Sequence, residues 1–396
     1  MKYAIIIPDG AADLNLEELG NRTPLAAAKK PHMDWIARHG KCGSVRTIPT
    51  GMSCGSDVAI LSVLGYDPHR HYTGRAPLEA AAQQLKVGPD DWIFRCNLVT
   101  IIDGVMEDYS AGHISTEEAA LLIREVNRVL GGRTIQFYPG VSYRHLMTIA
   151  QPMAVQTTPP HDIINKKTHG HLPTGEGSAQ LRSLMDRSAA VLANHEVNSV
   201  RRDLGENPAT HIWLWGEGKM PQLPSFKDRF GVQGAAITAV DLVRGLARLI
   251  GWEIIDVPGA TGYVDTNYAG KGLAAVEALD RFDLVCVHVE APDEAGHNAA
   301  PQDKVKALEQ IDRHIVAPLL EKLQSFGEDW RILVTPDHPT PCKVRTHTAD
   351  PVPFALAGKR VGGGVIDAPF NEESGAAGDL HIEHGHELME FFLTVR

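Results

Sequence analysis

The stretch Arg331–His347, RILVTPDHPTPCKVRTH, sets adjacent Asp337 and His338 straight after the apolar run Ile332-Leu333-Val334, with His347 beyond a Pro-broken loop. Tyr3–Gly10, YAIIIPDG, runs into Asp9 in the same way, and Leu284–His297, LVCVHVEAPDEAGH, delivers Asp293 and His297 at i, i+4. Thr50–Leu64, TGMSCGSDVAILSVL, is a Gly-rich turn with Ser56 opening an apolar helical run. Each has a bland reading alone: Asp-His is also a solvated turn, and Ser56 is also a plain N-cap. Together they offer carboxylates with a few imidazoles, a donor set that suits Mn or Mg, with Zn as an alternative. A hydroxyl at a helix start also sits beside free amides and a dipole that attract a phosphate. Ser53 and Cys54 compete with Ser56 as nucleophile.

Such residues converge only if several strands end together. Tyr3–Pro8, Gly43–Pro49, His211–Trp215, Trp252–Pro258, Leu284–Val289, Ile332–Val334 and Pro351–Leu356 read as strands. Thr23–His39, broken at Pro31, Gly234–Ile250, Gly270–Leu279 and Gln302–Ser325, kinked at Pro318, read as helices. Strands alternating with helices imply an α/β fold, a largely parallel sheet covered by helices on both faces, with ligands at the C-terminal strand ends. From about Lys86 to Pro208 this pattern is interrupted. Strands at Asp91–Asp103, Thr134–Tyr138 and His145–Ala150 surround a helix at Thr116–Leu130 with a Ser115/Glu118 capping box. Gln151–Gly177 is Pro- and His-rich and irregular, and Ser178–Asn194 is helical. The expected organisation is a core of residues 1–85 and 209–396 with a smaller α+β domain, 86–208, inserted.

Composition narrows the classes. A chain of 396 residues, 43% hydrophobic and 22% charged, is globular, and a net charge of −11 argues against a general nucleic-acid binder. No run reaches the length of a membrane helix, and the chain enters a strand at once without signal-peptide character. Five scattered cysteines with no CxxC pair fit reduced thiols and a cytoplasmic protein.

The motifs PDG, GSDVA, PDEAGH, TPDH and THTADPVPF follow one another along nearly the whole chain. In that order they resemble the alkaline phosphatase superfamily and, within it, the archaeal-type cofactor-independent phosphoglycerate mutases. The resemblance implies an alkaline-phosphatase-like core, an inserted cap that closes over it, and two divalent metal ions. It assigns Asp9, Ser56, Asp337 and His338 to one ion and Asp293, His297 and His347 to the other, with Ser56 transiently phosphorylated. A mutase returns that phosphoryl group to another oxygen of the same glycerate, a kinase passes it to a second acceptor, and a phosphatase passes it to water.

Phosphoglycerate carries a carboxylate and a phosphate, groups that Arg grips bidentately. Archaeal-type mutases usually carry an Arg-rich turn where this chain has Asp108–Ile114, DYSAGHI, and an Arg where Trp215 stands. DYSAGHIS and YPGVSYRHL instead resemble a bacterial branch of the family proposed to be homoserine kinase. The leading expectation is therefore transfer from ATP to L-homoserine, giving O-phosphohomoserine for threonine biosynthesis. The second is interconversion of 2- and 3-phosphoglycerate. No GxxxxGK[ST] loop is present, though a phosphoserine relay needs none. Candidate substrate contacts are Arg75, His113, Arg144, His161, Arg201, Arg202 and Lys271, with Asp108 or Asp162 as an anion for an ammonium group. The tail motif His381–His386, HIEHGH, reads as surface histidines rather than a metal cluster.

Overall fold

The computed structural model describes residues 1–363 and 367–394. The chain forms two compact units, one of Met1–Tyr72 with Gln222–Arg396 and the other of Thr73–Pro221.

The first unit is built on an eight-stranded sheet. Its spatial order is Glu253–Ile254, Gly234–Ile237, Leu284–Val289, Lys2–Pro8, Trp330–Val334, Val352–Gly358, Lys41–Val45 and Leu380–Ile382. From Glu253–Ile254 to Trp330–Val334 all neighbours are parallel. Val352–Gly358 runs antiparallel to both its neighbours, and Leu380–Ile382 is again parallel to Lys41–Val45. The central strands are apolar at nearly every position because both faces are covered. Ala4 and Ile6 pack with Met33, Ile36, Leu279 and Leu308 on one face, while Tyr3 meets the Phe392 ring on the other, centroids 5.6 Å apart. This is the mixed α/β, largely parallel class expected.

Three local expectations change. Gly234–Ile250 is not one helix but a strand, Gly234–Ile237, followed by the helix Asp241–Leu249. A short apolar run does not announce its own period. Pairing with Leu284–Val289, Gly234 opposite Leu284, decides it, and Gly234 also leaves room for the Trp252 ring. Trp252–Pro258 contributes only the short edge pairing Glu253–Ile254. The helix expected over Gln302–Ser325 runs from Pro301 to Gln324 through a wider π turn at Asp312–Val316. Pro318 lacks the N–H that the His314 carbonyl would accept in an α-helix, and the wide turn lies immediately before it.

The second unit is an antiparallel sheet of five strands, with Trp92–Ile102 central between Arg144–Ile149 and His211–Lys219. Thr116–Leu130 and Ser178–Ala193 lay their apolar faces, including Leu122, Val126, Leu181 and Leu184, on it. Ser115 and Glu118 form the reciprocal capping box. The unit is wider than 86–208 at both ends. Ala76 and Ala80 of the Arg75–Ala82 helix pack on Ile93 and Leu146, and His211–Lys219 pairs with Trp92–Ile102. The irregular Gln151–Gly177 segment is pinned by a small hairpin, Ala154–Gln156 with Thr174–Glu176, and two 3-10 turns. Among the described residues, no helix is long and apolar enough to cross a membrane.

Candidate active site

Parallel strands deliver the acidic and imidazole side chains to one place in the first unit. Asp9 follows the Lys2–Pro8 strand, Asp337 and His338 follow Trp330–Val334, and Asp293 and His297 lie on Ala291–His297 just after Leu284–Val289. Asp9, Asp293, Asp337 and His338 are all buried. Two groups have ligand atoms within 4.8 Å of one another: Asp293, His297 and His347, and Asp9, Asp293 and His338. Asp293 thus stands in both groups, whereas the resemblance assigned it to one. Asp337 joins the second closely, with Oδ2 3.3 Å from His338 Nε2.

Ser56 is the first residue of the Ser56–Val63 helix, and its Oγ lies 3.0 Å from His338 Nε2. All seven residues expected to form the metal and nucleophile set are therefore brought together. The His297 and His347 Nε2 atoms face each other at 3.0 Å, with Asp293 Oδ2 3.2 Å from the first and Oδ1 3.5 Å from the second. Asp9 Oδ1 and Asp337 Oδ2 are buried and accept no hydrogen bond among the described residues. Buried oxygens of that kind are costly unless something else satisfies them.

The electrostatics are those of a cluster short of positive charge. Burial, then Asp337, Asp293 and Glu290, push the Asp9 carboxyl well above the usual range. For Asp293 burial acts in the same sense, but hydrogen bonds from His297 and His347 outweigh it and hold the carboxyl well below. The reciprocal hydrogen bond to Asp293 raises His297 to about 9, whereas burial lowers His338. Three hard carboxylates and several imidazoles around two orphaned oxygens form a donor set that suits divalent cations.

Two supporting residues were passed over in the sequence. His288 lies inside the Leu284–Val289 strand and holds Asp9 Oδ2 through Nε2 at 2.8 Å, with Nδ1 3.1 Å from Thr238 Oγ1. Thr340 donates to Asp293 Oδ1 at 2.5 Å. Lys271, expected among the substrate contacts, is instead buried beneath this layer. Its Nζ donates to the His288 carbonyl at 3.2 Å, and burial lowers its pKa to about 8. The tail histidines His384 and His386 stand 6.0 Å apart, ring to ring, and join neither group.

In the second unit, three expected contacts are committed elsewhere. Asp108 accepts from Ser110 N and Oγ, Gly112 N and Asn207 Nδ2, which leaves it a turn organiser rather than an open anion. Burial opposes ionisation of its carboxyl, but those bonds prevail and lower the pKa. Arg201 is buried on Ala111 O, Asn207 O, Glu118 and Glu206. Arg202 donates to Ala193 O and Ser199 Oγ.

Of the other expected residues, Arg75, His113, Arg144 and His161 share a cationic, aromatic region, and Asp162 is exposed beside His161. The guanidinium of Arg95, overlooked in the sequence, lies 4.1 Å from the Trp215 ring centroid and its Nε 3.2 Å from Glu79. Burial lowers Arg95 to about 10, and Arg75 and Arg144 are close enough to add to that effect. His161 packs edge-on to Trp215 at 5.3 Å, and Tyr143 meets both His113, at 6.1 Å, and Arg144, at 5.8 Å. The position where an Arg was missed therefore carries a Trp that itself stacks an Arg.

Residues 37–198 match the family model described as 2,3-bisphosphoglycerate-independent phosphoglycerate mutase. A protein of that name from Methanothrix thermoacetophila is 50% identical over 394 residues, covering 100% of both chains. A probable 2,3-bisphosphoglycerate-independent phosphoglycerate mutase from Geobacter sulfurreducens is 49% identical, covering 99% of this chain and 100% of its own. Among solved structures, a Pyrococcus horikoshii protein superposes with a TM-score of 0.84 at 30% identity, covering 99% of this chain and 96% of its own. The cofactor-independent phosphoglycerate mutase from Thermoplasma acidophilum superposes with a TM-score of 0.68 at 28% identity, covering 99% of each chain. With half its residues shared across a full-length relative, the chain belongs to the 2,3-bisphosphoglycerate-independent phosphoglycerate mutase family.

Proposed function

We propose that this protein interconverts 2- and 3-phosphoglycerate, with Ser56 carrying the phosphoryl group between the two oxygens. The observation that carries the reading is the Ser56 hydroxyl at a helix start, 3.0 Å from His338 in a cluster with two unsatisfied carboxylate oxygens. Asp9, Asp337 and His338, with Ser56, would hold one divalent ion, and Asp293, His297 and His347 the other. Mn suits the mixed oxygen and imidazole donors, with Mg or Zn as alternatives. Two such ions supply neutralisation of phosphoryl oxygens and a more acidic serine hydroxyl.

The chain's own residues do the rest. Ser56 Oγ attacks phosphorus in line, a P–O bond forms to Ser56, and the P–O bond to the glycerate breaks, leaving its hydroxyl. The other hydroxyl of the same glycerate then attacks phosphoserine and restores Ser56. His338 orients Oγ, and the backbone amides at the start of Ser56–Val63 favour the anion. Arg75, Arg95, Arg144 and His161 suit a substrate with both a carboxylate and a phosphate.

The names of the relatives favour this reading over the homoserine kinase expectation. So does Asp108, whose carboxylate is already occupied by its turn and offers little to an ammonium group. The test is two parallel reactions of the purified Mn-loaded protein. One holds 3-phosphoglycerate alone, the other L-homoserine with ATP. 2-Phosphoglycerate in the first and no O-phosphohomoserine in the second is expected. O-Phosphohomoserine alone would reinstate the kinase, and only free phosphate from the first would make the protein a phosphatase.

A further inference from the structure

We propose that Thr340 is a positioning residue that couples the two halves of the metal site and sets the ring orientation of His338. The inference rests on the two-metal reading above. Thr340 is fully buried, and its single hydroxyl touches both groups. It donates its proton to Asp293 Oδ1 at 2.5 Å, and Asp293 is the carboxylate common to the two groups. The same oxygen lies 3.3 Å from His338 Nδ1. A hydroxyl has one proton, so with that proton on the Asp293 bond the oxygen can only accept from His338. His338 then carries its hydrogen on Nδ1, and the lone pair on Nε2 faces Ser56 Oγ, 3.0 Å away, and Asp9 Oδ1, 3.6 Å away. A neutral imidazole with that nitrogen free is the form that binds a cation, and the bond on the other nitrogen fixes it.

The structure holds Thr340 in place from several sides. Lys304 is completely buried, and its Nζ donates to the Thr340 carbonyl at 2.8 Å, to Asp13 Oδ2 at 2.8 Å and to the Ala12 carbonyl at 3.4 Å. Asp13 accepts in turn from Cys342 N, two residues beyond Thr340, and its own amide donates to Glu372. The Thr340 amide donates to Gly10 O at 3.3 Å and Ala12 O at 3.2 Å. A Cβ on Gly10 would come within 2.6 Å of Thr340 Oγ1 and 2.5 Å of Asp293 Oδ1, and one on Gly296 would collide with the Thr340 carbonyl. A solvent-facing loop hydroxyl would need neither a buried ammonium on its carbonyl nor two glycines to make room for it.

The test titrates the full-length metal-free protein with Mn²⁺ alone by calorimetry, comparing wild type with Thr340→Val, Thr340→Ala and Thr340→Ser. Circular dichroism reports whether each variant is folded, and Thr340→Ala substitutes for Thr340→Val should the branched side chain fail to pack. Wild type is expected to take up two ions. The variants without a hydroxyl are expected to lose about tenfold or more in affinity for both ions together, the size of effect typical of a lost outer-shell hydrogen bond. Thr340→Ser, which keeps the hydroxyl, is expected to restore both. Two ions bound with wild-type affinity by the folded Val or Ala variant would overturn the role of Thr340 and leave the metal reading standing. Weakening of one ion alone would overturn the coupling. Wild type that binds fewer than two ions would instead overturn the two-metal reading itself.

Discussion

Ser56 differs from its neighbour Cys54 first by placement and then by reactivity. It opens the Ser56–Val63 helix and touches His338, whereas Cys54 meets the cluster through its carbonyl, 3.3 Å from His347 Nδ1. Burial, followed by the charge of Asp350, raises the Cys54 thiol and keeps thiolate scarce. Ser56→Ala is therefore expected to abolish interconversion. In an acid quench of the wild type, phosphate label should map to Ser56, and label on Cys54 would reverse the assignment. Asp9, Asp337 and His347 were legible only as a set, because several motifs in a family's order each carry a carboxylate or an imidazole, whereas each one alone also reads as a plain turn. His288 and Thr340 were not legible. A lone His within LVCVHV reads as core, and the value of the Thr340 hydroxyl arises from Asp293, which the chain brings near only on folding.

Element by element, local signals succeeded where they were self-sufficient. The Ser115/Glu118 box marked the start of Thr116–Leu130 because both bonds lie within one turn. The Gly234–Ile237 strand failed because its partner is Leu284–Val289, remote in sequence. The Arg144–Ile149 strand carries a pH liability of the same remote origin. His145 is 1% exposed, its Nδ1 accepts from Gly140 N, and its Nε2 has no partner among the described residues. Burial lowers its pKa to about 3. The folded state therefore binds fewer protons than the unfolded one between that value and the ordinary histidine range near 6.5. Stability is full above about pH 6.5 and falls as pH drops, by roughly 2 kcal/mol at pH 5 from this group alone. Denaturation midpoints at pH 7 and pH 5 should show that fall in wild type. His145→Asn, which retains an acceptor for Gly140, should show a smaller one, and an equal fall in both would assign the acid sensitivity elsewhere.

At the scale of the whole molecule, the two units carry different chemistry. The first holds Ser56 and every carboxylate and imidazole of the candidate metal site, and the second gathers Arg75, Arg95 and Arg144 around an aromatic patch. The insertion itself was legible as a break in the α/β alternation. Its limits were not, because Arg75–Ala82 and His211–Lys219 belong to the second unit by packing and pairing rather than by any local pattern. If chemistry and substrate grip are so divided, single substitutions should separate them. Arg75→Met and Arg144→Met each remove one guanidinium without altering a residue of the first unit. Each is expected to raise KM for 3-phosphoglycerate about tenfold or more, as loss of a charge-assisted hydrogen bond worth roughly 1.5–3 kcal/mol requires. Mn content and labelling of Ser56 at saturating substrate should not change. A lowered kcat at constant KM would mean that these cations act on the transition state rather than on the bound substrate. No change in either constant would remove the anion-binding role from the second unit and leave recognition to the residues around Ser56.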